Sequence, residues 1–158
     1  MAAREQDVIV VGGGIGGLAT ALRLSQLGLK VRVLEQASAF GEVGAGLQIA
    51  PNCTRILEQF GLLNEVMGLG VLPDHMVMKD AIDGTELTRL DLADLRARYG
   101  YPYMDIHRSD LHGTLLRACQ RHGVDLVTNA AVTGYENVDD GAAVHYDGLY
   151  VPLLVEDS

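Results

Sequence analysis

The run Gly12-Gly13-Gly14-Ile15-Gly16-Gly17 constrains this chain more than any other stretch of it. It follows Val8 to Val11, a wholly apolar, β-branched run that reads as a strand buried on both faces. Behind it, Leu18, Ala21, Leu22, Ser25 and Leu29 recur near helical spacing, and Gly28 is placed to stop that helix in a left-handed C-terminal turn. Val31 to Leu34 forms a second apolar run, ending at Glu35. Strand, glycine turn, helix and strand within about thirty residues describe a βαβ unit with parallel strands.

Gly12, Gly14 and Gly17 have the spacing G-x-G-x-x-G, and each glycine has a physical duty there. The first allows the tight strand-to-helix turn, the second lets backbone approach a pyrophosphate, and the third lets helix pack on strand. The helix N-terminus, at Ile15 and Gly16, presents N–H groups and a partial positive charge to the phosphates. Glycines alone would equally fit a structural turn. Their placement between strand and helix, and an acid at the end of the next strand, favour dinucleotide binding. Glu35 stands eighteen positions beyond Gly17, close to the ~20 of a carboxylate that accepts from ribose hydroxyls. Leu18-Ala19 stands where a Walker loop needs Lys-Ser/Thr, which excludes that reading. The charge of Glu35 disfavours a 2′-phosphorylated nucleotide at this site. The motif by itself leaves FAD and NAD open.

A chain of 158 residues is a normal size for one domain with its own core. Its net charge of −9 argues against nucleic-acid or anionic-membrane partners. No apolar run approaches the ~20 residues that span a bilayer, and the polar start, with glycines close behind, is no signal peptide. Cys53 and Cys119 lie far apart and form no motif, so a reducing, cytoplasmic compartment is the expectation. His107 and His112 are five apart and off a common helical face, and no Cys or acidic cluster has ligand spacing, so no metal site is expected. His75, His122 and His145 read as surface or turn residues. Neither a G-x-S-x-G elbow nor a Cys/His pairing points to nucleophilic catalysis.

Further along, Phe40 to Leu47 reads as a second glycine-rich loop, and Pro51 or Asn52 starts a helix with Ile56, Leu57, Phe60 and Leu63 apolar. Val71 to Leu90 reads as a hairpin turning at Asp83-Gly84. Tyr99 to Ile106 reads as a strand, and Ser109 or Asp110 caps a helix that runs to about Arg121 before Gly123. Val124 to Val127 gives a third parallel strand. Ala131 to Tyr150 reads as a meander with turns at Asp139-Asp140-Gly141 and Asp147-Gly148. Val151 to Val155 reads as one more strand.

Val8 through Glu35, the loop Gly41 to Asn52 and the segment His107-Arg108-Ser109-Asp110-Leu111-His112 together resemble the class A FAD-dependent aromatic hydroxylases. The resemblance is nearest to the 3-hydroxybenzoate 6-hydroxylase and salicylate hydroxylase branches. Asp80-Ala81-Ile82, Arg98-Tyr99-Gly100 and Pro102-Tyr103 tilt it toward the former. It implies an α/β fold: a Rossmann-like FAD-binding βαβ core with a β-hairpin excursion and a short meander, incomplete relative to the family. Residues 1–158 would be the N-terminal portion of the FAD-binding domain, with 71–106 its first excursion toward a substrate domain.

The resemblance also implies roles. Glu35 matches the ribose carboxylate, and Gln36 replaces the arginine usual after it, which weakens one polar contact near the adenosine. Ala45 and Gln48 would lie beside the flavin end, and Arg108 would reach the ribityl-phosphate region, where a guanidinium can fork onto phosphate oxygens. The backbone of Val132 would meet the adenine. Tyr103 would face the aromatic substrate, against the plainer reading of a strand packing residue. Read plainly, Arg108 is a surface residue beside Asp110 or Asp105, and Gln48 a solvated loop amide. The family's reaction is NADH-driven hydroxylation of a phenolic or aromatic acid, in an enzyme expected to be a homodimer. The family's second flavin motif would follow the strand Val151 to Val155, where this sequence reads Glu156-Asp157-Ser158. A truncated piece, non-catalytic by itself, is therefore the expectation. A nicotinamide-dependent dehydrogenase domain and a self-associating, non-enzymatic fragment are the alternatives.

Overall fold

The computed structural model describes residues 7–41, 44–138, 141–146 and 149–154. In chain order the elements are β1 (Val8–Val11), α1 (Ile15–Gln26), β2 (Val31–Leu34), β3 (Gly46–Ile49), α2 (Pro51–Gln59) and α3 (Leu63–Met67). There follow β4 (His75–Lys79), β5 (Glu86–Asp91), α4 (Leu92–Tyr99), β6 (Met104–His107) and α5 (Arg108–Arg121). Last come β7 (Asp125–Val127), β8 (Val132–Val138), β9 (Gly141–Tyr146) and β10 (Leu149–Leu154). Two compact units divide them: residues 1–42 with 112–158, and residues 43–111.

The first unit is built on a parallel sheet of order β1-β2-β7. Val8 pairs with Val31 and Val33 with Leu126, so the βαβ reading and the third parallel strand both hold. Leu18, Ala21 and Leu22 of α1 are fully buried, as are Leu115, Ala118 and Cys119 of α5. These and the β2 side chains Val31, Val33 and Leu34 form the core. Arg32 in β2 sends Nε (2.8 Å) and Nη2 (2.6 Å) to Oδ2 of Asp125 in β7, tying the two strands at their edge. The meander is antiparallel, with order β10-β9-β8, and brings Val132, Val144 and Tyr146 onto Leu34 and Ala130. Its turn residues Asp139, Asp140, Asp147 and Gly148, and the terminal Val155 to Ser158, lie outside the described residues.

Two readings of this unit need correction. β1 is not buried on both faces: Val11 is 59% exposed. It is the edge of this sheet, and β2 is the strand with a neighbour on each side. Leu29 is no part of α1; that helix stops at Gln26, and Gly28 (φ +93°) turns the chain out toward β2.

In the second unit, β3 and β6 form an antiparallel pair in which Gln48 faces Asp105 and Gly46 faces His107. The second glycine-rich loop therefore gives way to a strand at Gly46. The helix from Pro51 ends at Gln59, because Gly61 (φ +73°) breaks it, and Leu63 opens a separate helix. The hairpin is real but shorter than read, β4 with β5, closed by Asp80 and Asp83 side chains and Gly84 at φ +77°. Residues 92–99 form a helix the sequence reading missed. Asp91 caps it by accepting from the amides of Ala93 (2.8 Å) and Asp94 (3.1 Å), and Gly100 (φ +77°) ends it. Tyr99 thus closes a helix, and the strand expected from it starts only at Met104. α5 begins at Arg108, so neither Ser109 nor Asp110 caps it; Ser109 Oγ instead shares a 2.7 Å hydrogen bond with Nδ1 of His107. Among the described residues, no helix is long and apolar enough to cross a membrane.

Candidate cofactor-binding site

The glycine turn of the first unit leaves the end of β1 with Gly12 at φ +100°, where an L side chain would be strained. A Cβ on Gly17 would run into the backbone carbonyl of Gly12 and sit 3.5 Å from Val10. The first and third glycines therefore serve the turn and the close helix–strand packing anticipated for them. Gly14 is different. As N-cap of α1 it has φ −72° and ψ −179°, a conformation open to any residue, and it provides no side-chain cap. The first turn of α1 carries no acidic side chain, and Leu18 N–H to Gly14 O (2.9 Å) is the hydrogen bond that opens the helix. Ile15 is half-buried and Gly16 exposed, and a Cβ on Gly16 would meet open space. This helix start thus offers its first N–H groups, and the helix dipole, to an external anion.

Glu35 lies just past β2 and turns back on the glycine turn. Its Oε2 accepts from the Gly13 amide at 2.7 Å and its Oε1 from the Ala37 amide at 2.8 Å. The amides of Ala37 and Gly13 hold this carboxyl below its ordinary value, against burial, with smaller help from the Gln36 amide and the charge of His112. Glu35 is therefore ionised at neutral pH. A carboxylate has about four acceptor sites, so backbone contacts leave it capacity to accept from a diol. Gln36 itself is exposed and acts here through its backbone. Val132 opens β8 half-buried, its Cα paired with Tyr146.

Gly13 was given no duty in the motif, yet it is buried and tightly framed. A Cβ there would strike the Phe40 ring and lie 3.1 Å from Oε2 of Glu35. The uninterrupted Gly12-Gly13-Gly14 was the available signal. His112 was read as the end of the family-like segment from His107 and as a failed metal ligand, with no role of its own. It is 3% exposed, and its Nε2 donates to the Gly13 carbonyl at 2.8 Å.

The remaining candidates lie in the second unit. The Arg108 amide donates to the Ala45 carbonyl at 3.2 Å. The Arg108 stem lies over Gly44, where a Cβ would come within 2.8 Å of Arg108 Cδ. Gly44 and Ala45 thus form a small-residue bed for this arginine. Gln48 is exposed on β3, on the same face as its cross-strand partner Asp105, whose Oδ1 is buried with no hydrogen-bond partner among the described residues. Tyr103 is half-buried, and burial and the charge of Asp105 push its phenol up. It lines a cavity of about 110 Å³ with Asp74 and Arg96. A larger cleft of about 430 Å³, framed by Asn52, Arg55, Tyr99 and Tyr101, escaped the sequence reading because α4 did.

The sequence profile of the FAD binding domain family matches residues 5–149. The chain is 44% identical to the 3-hydroxybenzoate 6-hydroxylase of Polaromonas naphthalenivorans over 145 residues, which are 90% of this chain and 36% of that protein. It is 40% identical to 3-hydroxybenzoate 6-hydroxylase 1 of Aquipseudomonas alcaligenes, over 91% of this chain and 37% of that one. The crystal structure of Klebsiella pneumoniae HpxO complexed with FAD and uric acid superposes with a TM-score of 0.79 at 29% identity, covering 90% of this chain and 36% of that one. The chain spans little more than a third of the length of these relatives.

Proposed function

The chain belongs to the FAD binding domain family of flavin-dependent aromatic hydroxylases, and from that premise we propose how its own residues hold the cofactor and what reaction they serve. The pyrophosphate of FAD sits over the start of α1, against the amides of Gly14, Ile15 and Gly16. Glu35 accepts from the adenosine ribose hydroxyls, with Gln36 beside it, and the backbone of Val132 meets the adenine. Arg108 takes the ribityl-phosphate end, with Ala45 and Gln48 beside the flavin. The observation that carries this reading is Glu35, ionised and held by the Gly13 and Ala37 amides next to a helix start with no cap of its own.

When bound, FAD supplies the electron transfer and oxygen chemistry; the residues here bind and orient it. The reaction proposed is NADH-dependent hydroxylation of a small phenolic or aromatic acid such as 3-hydroxybenzoate or salicylate, with Tyr103 toward the substrate. Support comes from the names of the relatives, each a hydroxylase of a benzoate that carries a ring hydroxyl. By itself this chain is the cofactor-binding part, without turnover, of a cytoplasmic, dimeric enzyme.

Titration of FAD into the purified chain, read by flavin fluorescence and thermal melting beside NAD⁺, tests the binding. Saturable binding of FAD in preference to NAD⁺ is expected. Equal inertness to both would contradict the proposal, and stoichiometric hydroxylated product from NADH and oxygen would contradict the non-catalytic assignment.

A further inference from the structure

Gly13 is held at both of its backbone polar groups. Its N–H donates to Glu35 Oε2 (2.7 Å), and its carbonyl accepts from His112 Nε2 (2.8 Å), ninety-nine residues away in α5. A carbonyl only accepts, so Nε2 of His112 carries the proton. The peptide between Gly13 and Gly14 is trans and planar. Its N–H, on Gly14, is therefore antiparallel to the carbonyl that His112 holds. Fixing the carbonyl toward the buried imidazole fixes the Gly14 amide away from it. His112 is 3% exposed and Gly13 is buried, so this bond is sheltered from competing water. Without it the peptide between Gly13 and Gly14 keeps no hydrogen bond of its own among the described residues, and its two glycine flanks allow it to turn.

We propose that His112 is a positioning residue for the phosphate-binding turn: with Glu35 it clamps Gly13 and so sets the direction in which the Gly14 amide meets the cofactor's pyrophosphate. This rests on the reading of the turn as the FAD pyrophosphate site. His112 touches the turn and not the ligand, so its effect passes through one peptide.

The test compares wild type, His112→Leu and His112→Gln in the full chain. Leu fills the space without a donor, and Gln places an amide N–H near the position of Nε2. His112→Leu is expected to weaken FAD binding about tenfold, the effect of losing one buried hydrogen bond, and His112→Gln to restore it to within about threefold. Without FAD, amide exchange at Gly13, whose N–H is held by Glu35, should accelerate in His112→Leu relative to Leu22 and Leu34, and recover in His112→Gln. A purely structural role would move all three amides together and would not discriminate Leu from Gln once both had folded.

Unchanged relative exchange at Gly13 in His112→Leu overturns the inference. If wild type binds no FAD, the functional reading fails and the exchange comparison still decides the clamp. Should His112→Leu not fold, the ¹⁵N shifts of the wild-type imidazole decide it: a protonated Nε2 supports the bond, and a bare Nε2 overturns it.

Discussion

The sheet β1-β2-β7 and the hairpin β4–β5 are both made of short strands, but nine of the sheet's eleven strand residues are apolar against five of the hairpin's eleven, and their surroundings are opposite. In β2, Val31, Val33 and Leu34 are at most 2% exposed, because the crossover helix α1 arrives with the strands it connects and the meander packs on Leu34. In the hairpin, Met78 is 61% and Leu87 59% exposed, and Ile82 at its turn is 96% exposed. Every strand residue of the hairpin but Val77 is exposed, and a two-stranded hairpin with so little cover is marginal. A βαβ unit carries its own cover within about thirty residues of chain, whereas a hairpin must borrow cover from elsewhere. The adenosine end of the candidate site is built wholly on the self-covered unit. That unit is where stability and cofactor affinity should be coupled.

The largest effect expected is from truncating the core of the first unit. Leu22→Ala, at a fully buried position, should cost about 2–5 kcal/mol in urea unfolding. A loss no greater than that of a hairpin mutant would erase the distinction between the two regions. Gly17→Ala comes next, because its Cβ meets the Gly12 backbone carbonyl, which cannot swing aside as a side chain could. It should cost about 1–3 kcal/mol and abolish FAD binding, with the hairpin amides unaffected in hydrogen exchange.

A smaller effect is set by pH. The Glu35 carboxyl lies below its ordinary value of 4.5 in the folded chain. Its contribution is therefore fully present above that value and is lost as pH falls through the folded one. Wild type should lose melting temperature below pH 4.5 faster than Glu35→Gln, the two curves converging at the acid end; parallel curves would show that the backbone clamp contributes nothing. The smallest effect is expected at Met78. Met78→Ser should change stability by about 0.5 kcal/mol or less and reduce any self-association seen by light scattering.

The first unit was legible because its signals are local and redundant. Glycines, apolar periodicity and Glu35 all point to one unit, and Gly12, Gly17, Leu18, Ala21 and Leu22 serve the turn and the packing expected of them. What the sequence hid were features that depend on distant partners. β1 carries four β-branched residues, as a buried strand does, but its exposure depends on its place in the sheet and not on composition. The strand at Gly46 is held by pairing with His107, sixty-one positions on, which glycine content masks. The helix over 92–99 did leave a trace, a capping Asp91 and a closing Gly100, but its hydrophobic face is thin, with Leu92 alone buried. His112 is a further case. Its bond to Gly13 spans ninety-nine residues, and no spacing rule reaches that far. The candidate residues of the second unit rest on resemblance, and Gly44 explains physically why an arginine can lie across that loop.

The central claim is that the glycine turn and Glu35 grip the adenosine diphosphate portion of the cofactor, independent of its flavin end. The direct measurement is a pair of titrations, FAD and adenosine diphosphate, into wild type and Glu35→Ala. A charge-assisted hydrogen-bond acceptor is worth about 1.5–3 kcal/mol, so Glu35→Ala should weaken both ligands by the same factor, about tenfold or more. Loss of FAD affinity with adenosine diphosphate untouched, or no loss for either, would contradict it.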